Sequence, residues 1–396
     1  MNIIKNKTIS LYLLSLFFFS AFYLFQKHTV GNDSTISEWL INYEGGFTKR
    51  GLIGQISIYL SFIFDIKLRV SILIFQIIII GIYYLLLNNF LINLKLNNII
   101  IFSIFSPIFI LYPVAEIEVL ARKETFLYSF FLLYFLLNNE TSRNIYKVTI
   151  LPLAILIWEP VIFFFPYWFI IDFLENKNED IFKTFQKSFF YYLPAILIAV
   201  YIAFNPISSE NHLQMANFLK TAFNENCYMS CELLLNKSAI YDQFHAVIIL
   251  LNYERVFRYI LIILFGFGPL IILMRYSEFK KLNPLIISII VSFPVIILFL
   301  MMTDWGRVVN MYYSFSILTY LYLYKNKKID IKRSIERNFF NIRFKNKKIL
   351  IIFFIIFAFG WNPKTSIVGD VGSKPGYQIP RKAIKIIYYK YIKNHY

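Results

Sequence analysis

The chain of 396 residues is 58% hydrophobic and 20% aromatic but only 16% charged, which is too little polar surface to cover a soluble globule of this length. Its formal net charge of +17 would point a soluble protein toward nucleic acid, but the basic residues gather between apolar runs, so their placement outweighs their sum and no nucleic-acid partner is expected. The composition predicts an all-α polytopic membrane protein with about 10–12 transmembrane helices, each needing roughly 20 mostly apolar residues to cross a ~30 Å hydrocarbon layer.

The first apolar run, 9–26, follows Lys5 and Lys7 and carries no small-residue cleavage site, so a retained helix with a cytoplasmic N-terminus is expected. An outer loop, 27–69, comes next. It holds Asp33, Glu38 and the stretch "YEGGFTKRG", in which Glu44, Lys49 and Arg50 surround a Gly-Gly pair. Within it, "GLIGQISIYLSFIF" at 51–64 is short for a crossing, at about 21 Å. Its polar positions Arg50, Gly54, Ser57, Ser61 and Asp65 fall on one helical stripe, a pattern that predicts a helix lying in the outer interface.

Residues 70–90 form the next long apolar run, and 99–114 and 125–137 are shorter spans separated by the outer segment "AEIEVLARKETF" at 115–126. The segment 147–173 is long enough for one crossing but has Glu159 and Pro160 at its centre. A carboxylate at mid-bilayer is costly without a partner or water, so this segment is expected to be a helical hairpin with its tip outside. Spans at 188–206, 256–274, 284–302 and 309–324 follow, with an outer loop at 207–255 and the outer turn "TDWGRVVN" at 303–310. Ten of the 40 basic residues lie between Lys325 and Lys348, and this loop is assigned to the cytoplasm. A final run, 349–361, closes a single transmembrane domain, 1–361, and a basic amphipathic tail occupies 362–396. Its side depends on whether the 13-residue run crosses.

This topology gathers "YEGGFTKRG", "EIEVLARKE", "WEP" and "TDWGR" at the outer rim. A polyprenyl-phosphate sugar presents its phosphate at that height. Lys49, Arg50, Arg122, Lys123 and Arg307 are candidate phosphate binders, and Glu116, Glu118, Glu124, Glu159 and Asp304 can orient them or bind sugar hydroxyls. A carboxylate takes the proton of the attacking hydroxyl, while the cations stabilise the leaving phosphate. Plainer uses stand beside these: Lys49 and Arg50 snorkelling to headgroups, and Asp304 with Arg307 as an i, i+3 helix-end ion pair. Trp39, Trp158 and Trp305 lie beside the clusters, where stacking on a sugar and ordinary interfacial anchoring are both open. No GxxxxGK[ST] or GxGxxG motif appears, which argues against nucleotide chemistry, and the scattered His28, His212, His245 and His395 offer no metal-site spacing. Neither metal nor cofactor is expected. Cys227 and Cys231 share one outer loop, where a disulfide and two free thiols are both compatible with the spacing.

The order of span, acidic outer loop, interfacial helix and later acid-base pair resembles the GT-C superclass of lipid-linked-sugar glycosyltransferases. The segments "YEGGFTKRGLIG", "ARKETF" and "DWGR" also resemble bacterial membrane proteins of surface-polysaccharide synthesis, O-antigen-polymerase-like chains among them. The resemblance covers residues 1–310. It implies an early outer-loop acid as base, which carries over to Asp33, Glu38 or Glu44, with Glu44 favoured beside Gly45 and Gly46 and Asp33 as the alternative. The paired acids of that superclass are absent from this loop, and the only ExE is "EIE" at 116–118. The implied activity is glycosyl transfer from a polyprenyl-phosphate-linked sugar to a glycan or lipid acceptor at the outer face of a bacterial inner membrane. Polymerisation of lipid-linked repeat units and transport of a lipid-linked glycan are the alternatives.

Overall fold

The structure, a computed structural model, describes residues 6–31, 33–175, 181–236, 240–279, 284–331, 347–366 and 378–393. Parts of the expected basic loop 325–348 and of the tail 362–396 lie outside these residues. The described residues are 77% helical, in keeping with an all-α fold. In chain order the helices are α1 (Asn6–Val30), α2 (Ser34–Ser37), α3 (Gly51–Ile63), α4 (Leu68–Leu91), α5 (Asn98–Ile104), α6 (Tyr112–Ala115), α7 (Glu124–Tyr134), α8 (Glu140–Ile157) and α9 (Phe165–Glu175). They continue as α10 (Ile181–Phe204), α11 (Ser209–Phe223), α12 (Leu233–Asn236), α13 (Ile240–Leu250), α14 (Tyr253–Arg275), α15 (Pro284–Met301), α16 (Trp305–Lys325), α17 (Lys347–Phe359) and α18 (Gln378–Ile387). Two three-residue strands, β1 (Ser277–Phe279) and β2 (Ile329–Ile331), pair antiparallel with Ser277 opposite Ile331.

Among the described residues, four helices, α1, α4, α10 and α14, are long and apolar enough to cross a membrane. Asparagine side chains start several helices by accepting an otherwise unpaired amide: Asn97 from Ile100, Asn139 from Ser142 and Asn252 from Arg255, at 2.7–2.8 Å. At the centre runs α16, buried along nearly its whole length. Around it Phe131, Phe164 and Trp168 pack on Phe315 with ring centroids 4.7–5.4 Å apart, offset and tilted as aromatic quadrupoles prefer.

Polar contacts mark two opposite ends of the bundle. At one, Asn6 bonds the Ile92 carbonyl, Lys147 pairs with Asp172 at 2.7 Å, and Lys325 and Lys328 reach the carbonyls of Phe90 and Glu175. At the other, Lys27 pairs with Asp33 at 2.6 Å, Arg50 with Glu159 at 2.7 Å and Arg69 with Glu225 at 2.5 Å. The segment 147–173 is broken as its Glu-Pro pair predicts. α8 stops at Trp158, whose backbone is extended, and a 3-10 turn over Glu159–Phe164 leads into α9. The ion pairs of Arg143 with Glu175 and Lys147 with Asp172 bring the start of α8 beside the end of α9, so the segment reverses.

Two expectations need correction. The polar stripe of 51–64 does not face water: Gly54, Ser57 and Ser61 are buried, while Tyr59, Phe62, Ile63 and Phe64 are exposed. Gly54 sits there because a Cβ would strike the carbonyl of Ile41 and that of Trp39 at 2.7 Å, so the small residues of the stripe serve close packing. Both ends of α3 nevertheless lie at the Arg50 end, since Phe62 meets Phe223 at 5.1 Å beside the Arg69–Glu225 pair. The span expected at 99–114 is a seven-residue α5, then turns, then the four-residue α6. Nearly every residue of it is buried, and side chains answer part of its irregular backbone: Asn310 donates to the carbonyls of Ile108 and Phe109, and Tyr313 to that of Ser103. Non-helical backbone of this kind is tolerated at depth where protein surrounds it.

A charged cluster over an apolar cavity

At the Arg50 end, five loops deliver a cluster of opposite charges. Glu38, wholly buried just after α2, lies at its centre. Its Oε2 accepts from Arg122 Nε at 2.9 Å, and its Oε1 lies 3.6 Å from Arg50 Nη1 and 4.0 Å from Arg307 Nη2. Arg50 donates from Nε and Nη2 to both carboxylate oxygens of Glu159, at 2.8 and 2.7 Å. Arg307 donates to Asp304 at 2.8 Å and to Glu124, and Arg122 Nη1 stands 3.5 Å from Asp304. Lys123, fully buried, donates to the carbonyl oxygen of Arg50 at 2.5 Å. Trp39, next to Glu38, ties the first of these loops to the third by donating to the Ala121 carbonyl at 3.0 Å.

Four carboxylates thus face four cations, and the balance sets their ionisation. Burial pushes the Glu38 carboxyl up, but the guanidiniums of Arg122, Arg307 and Arg50 outweigh it and hold Glu38 well below the usual carboxylate range. Lys123 goes the other way: burial pushes it down to about 7, opposed by Glu38 and reinforced by Arg50. Burial also lowers Lys49, against the attraction of Glu159. Arg50 keeps its charge despite burial because Glu159 and Glu38 attract it. Its backbone is left-handed, at φ 64°, a conformation that costs a side-chain-bearing residue about 1 kcal/mol or more and often marks a functional position.

Beside the cluster opens a cavity of about 450 Å³. Thr48, Lys49, Arg50 and Glu159 form its polar end. Its walls are mostly apolar: Ile162 and Phe163 from the 3-10 turn, Ala199, Val200, Ile202, Ala203 and Phe204 of α10, Phe244 of α13, and Ile297, Leu298, Met301 and Met302 at the end of α15, with Asn205 and Gln243 as further polar residues.

The structure brings Arg50, Arg122, Lys123, Glu124, Glu159, Asp304 and Arg307 into one network, with Lys49 at the cavity. Glu44 and Asp33 stand apart from it. Glu44 is exposed and accepts from Gln55 at 2.6 Å; Asp33 caps α2 through the amides of Thr35 and Ile36 and pairs with Lys27. Glu116 is buried after α6 and Glu118 is exposed on the following turn. Trp305 donates to the Phe299 carbonyl and packs edge-on against Tyr259 and Phe299, and Trp39 and Trp158 are core residues, so none of the three is open to a sugar face. Cys227 and Cys231 form a disulfide in a turn, not a helix. Sequence reasoning did not single out the Arg69–Glu225 pair, and spacing gives no signal for two charges 156 residues apart.

No protein-family model matches the chain, and no curated protein or solved structure matches it.

Proposed function

We propose that the chain is a multi-pass protein of a bacterial inner membrane that transfers a sugar from a polyprenyl-phosphate carrier at the outer face, in cell-surface polysaccharide synthesis. One observation carries the reading: an apolar cavity that ends at Lys49, Arg50 and Glu159 matches a ligand with a hydrocarbon tail and an anionic head. Lys49 and Arg50 would hold the phosphate, Arg50 with the forked geometry that suits it. The acceptor hydroxyl oxygen bonds to the anomeric carbon as the bond from that carbon to the phosphate oxygen breaks. The hydroxyl proton passes to a carboxylate, and the electron pair leaves on the lipid phosphate beside the cations. Glu159 is the carboxylate that lines the cavity, and it takes this role in place of Glu44, one of its oxygens being freed as Arg50 turns from it to the phosphate.

Two features support an outer location for the Arg50 end. The basic loop 325–348 starts at the opposite end, where Lys325 and Lys328 contact Phe90 and Glu175, as expected of a cytoplasmic loop. The Cys227–Cys231 disulfide belongs to the Arg50 end, through the Arg69–Glu225 pair beside it, and disulfides persist in oxidising compartments.

The test is transfer of labelled sugar from a polyprenyl-phosphate donor by membranes containing the wild-type chain, Arg50→Ala or Glu159→Gln. Product from wild type alone, at equal protein levels, supports the reading, and a product ladder in place of a single addition would identify a polymerase. Wild-type membranes that transfer nothing, with lipid-linked substrate stranded in the inner leaflet only in the variants, would overturn it in favour of a transporter.

A further inference from the structure

We propose that His212, Cys227 and Cys231 form a binding site for a zinc-like d10 metal ion when their disulfide is reduced. The inference does not depend on the proposed glycosyl transfer. One ligand atom from each of the three side chains lies within 4.8 Å of the others. His212 and Cys231 are buried, with exposures of 7% and 0%, and Cys227 is half-buried, so the group lies just beneath the surface. The His212 ring nitrogen Nε2 stands 3.5 Å from Cys227 Sγ. Two ligands sharing a tetrahedral zinc, at Zn–S ≈ 2.3 Å and Zn–N ≈ 2.0–2.1 Å, would stand about 3.6 Å apart. The imidazole is thus at ligand distance from Cys227, and an ion would replace the bond that its Nε2 makes to the Cys231 carbonyl at 3.1 Å. The two sulfurs need to part to about 3.8 Å for the same ion, and the 5.3 Å between their Cα atoms allows this by side-chain rotation.

Sequence spacing conceals the site, because His212 lies 15 and 19 residues before the cysteines and enters from the first turn of α11. The loop that carries the cysteines is held independently of the disulfide. Glu225 takes two hydrogen bonds from Arg69 at 2.5 and 2.9 Å, and the Ser230 amide donates to Ser37 Oγ at 3.2 Å. The ligands therefore stay together after the sulfurs separate.

The disulfide and the ion are alternative occupants. A dithiol reductant supplies two electrons and two protons, closing to its own disulfide as Cys227 and Cys231 become thiols. The ion then displaces both thiol protons and takes the neutral imidazole as its third ligand, with water in the fourth position.

The full chain, purified in detergent, reduced with dithiothreitol and desalted under nitrogen, is titrated with Co²⁺ and then Zn²⁺. A thiolate-to-cobalt charge-transfer band that saturates at one ion per chain, is displaced by Zn²⁺, and is absent from the unreduced protein and from Cys227→Ser is the expected result. His212→Ala should weaken binding at least ten-fold. No band from a reduced chain with two titratable thiols, equal affinity in His212→Ala, or loss of the helical circular-dichroism signal on reduction would each overturn the proposal.

Discussion

Arg50 and Glu159, 109 residues apart, meet through two parallel hydrogen bonds of 2.8 and 2.7 Å at the polar end of the apolar cavity. The pair joins the loop before α3 to the tip of the α8–α9 hairpin, so it has a packing role beside the proposed chemical one, and the two are separable. Arg50→Ala leaves a partly buried carboxylate without its partner and should destabilise the fold by about 3 kcal/mol. The exchange Arg50→Glu with Glu159→Arg should restore protein level while product formation stays at least ten-fold down, because the cation proposed to bind the phosphate has moved. Expression and sugar transfer measured side by side check this; full activity in the exchanged protein would show that the pair only packs.

Glu44 and Glu159 compete for the role of base, and their settings differ. Glu44 is exposed and held by Gln55, outside the cavity. Glu44→Gln should therefore keep activity within a few-fold of wild type, and Glu159→Gln should lose it, in the same membrane assay. The opposite ranking would return the role to Glu44.

Lys123 makes stability depend on pH. Its value falls from 10.5 to about 7 on folding because burial penalises the ammonium. Above 10.5 the amine is neutral in both states and the fold bears no penalty. Between 10.5 and about 7 the unfolded chain holds a proton that the folded chain does not, so stability falls as pH drops across this window and is fully lost by about 7. Lys123→Met should accordingly melt higher than wild type at pH 6, by an amount on the order of several degrees, with the gap shrinking toward pH 10. Melting in detergent across this range is the measurement, and a gap that widens with pH contradicts the assignment.

Gly45 is where α11 touches the loop of the cluster. A Cβ there would meet the carbonyl of Asn211 and stand 2.9 Å from the Met215 amide. Backbone atoms cannot swing aside, so Gly45→Ala should cost about 1–3 kcal/mol and loosen α11. Faster cleavage within 207–236 by a protease would report it; an unchanged cleavage rate would mean that α11 rests elsewhere.

The charged side chains of the site were legible because an apolar chain has few of them: Arg50, Arg122, Glu159, Asp304 and Arg307 all stand out from their surroundings. Their pairing was not legible. Helical periodicity relates residues three or four apart, whereas Glu38 collects arginines from loops 84 residues away and beyond. The stripe of α3 misled for a related reason, since Gly, Ser and water-facing residues look alike to a polarity count, yet small residues also permit close helix contact. The break at Trp158 was legible because Pro160 cannot donate a backbone hydrogen bond. The interruption after α5 was not, because the hydrogen bonds that answer it come from Asn310 and Tyr313, some 200 residues on.

Asn6 meets Ile92 at one pole of the bundle, whereas Lys390 reaches Gln26 and Thr29 at the other. On the topology proposed above, these two poles face different compartments. Halves of a split reporter fused one to each extremity would never assemble on the same molecule, and a fluorophore that matures only in reducing surroundings would glow from the Asn6 side alone.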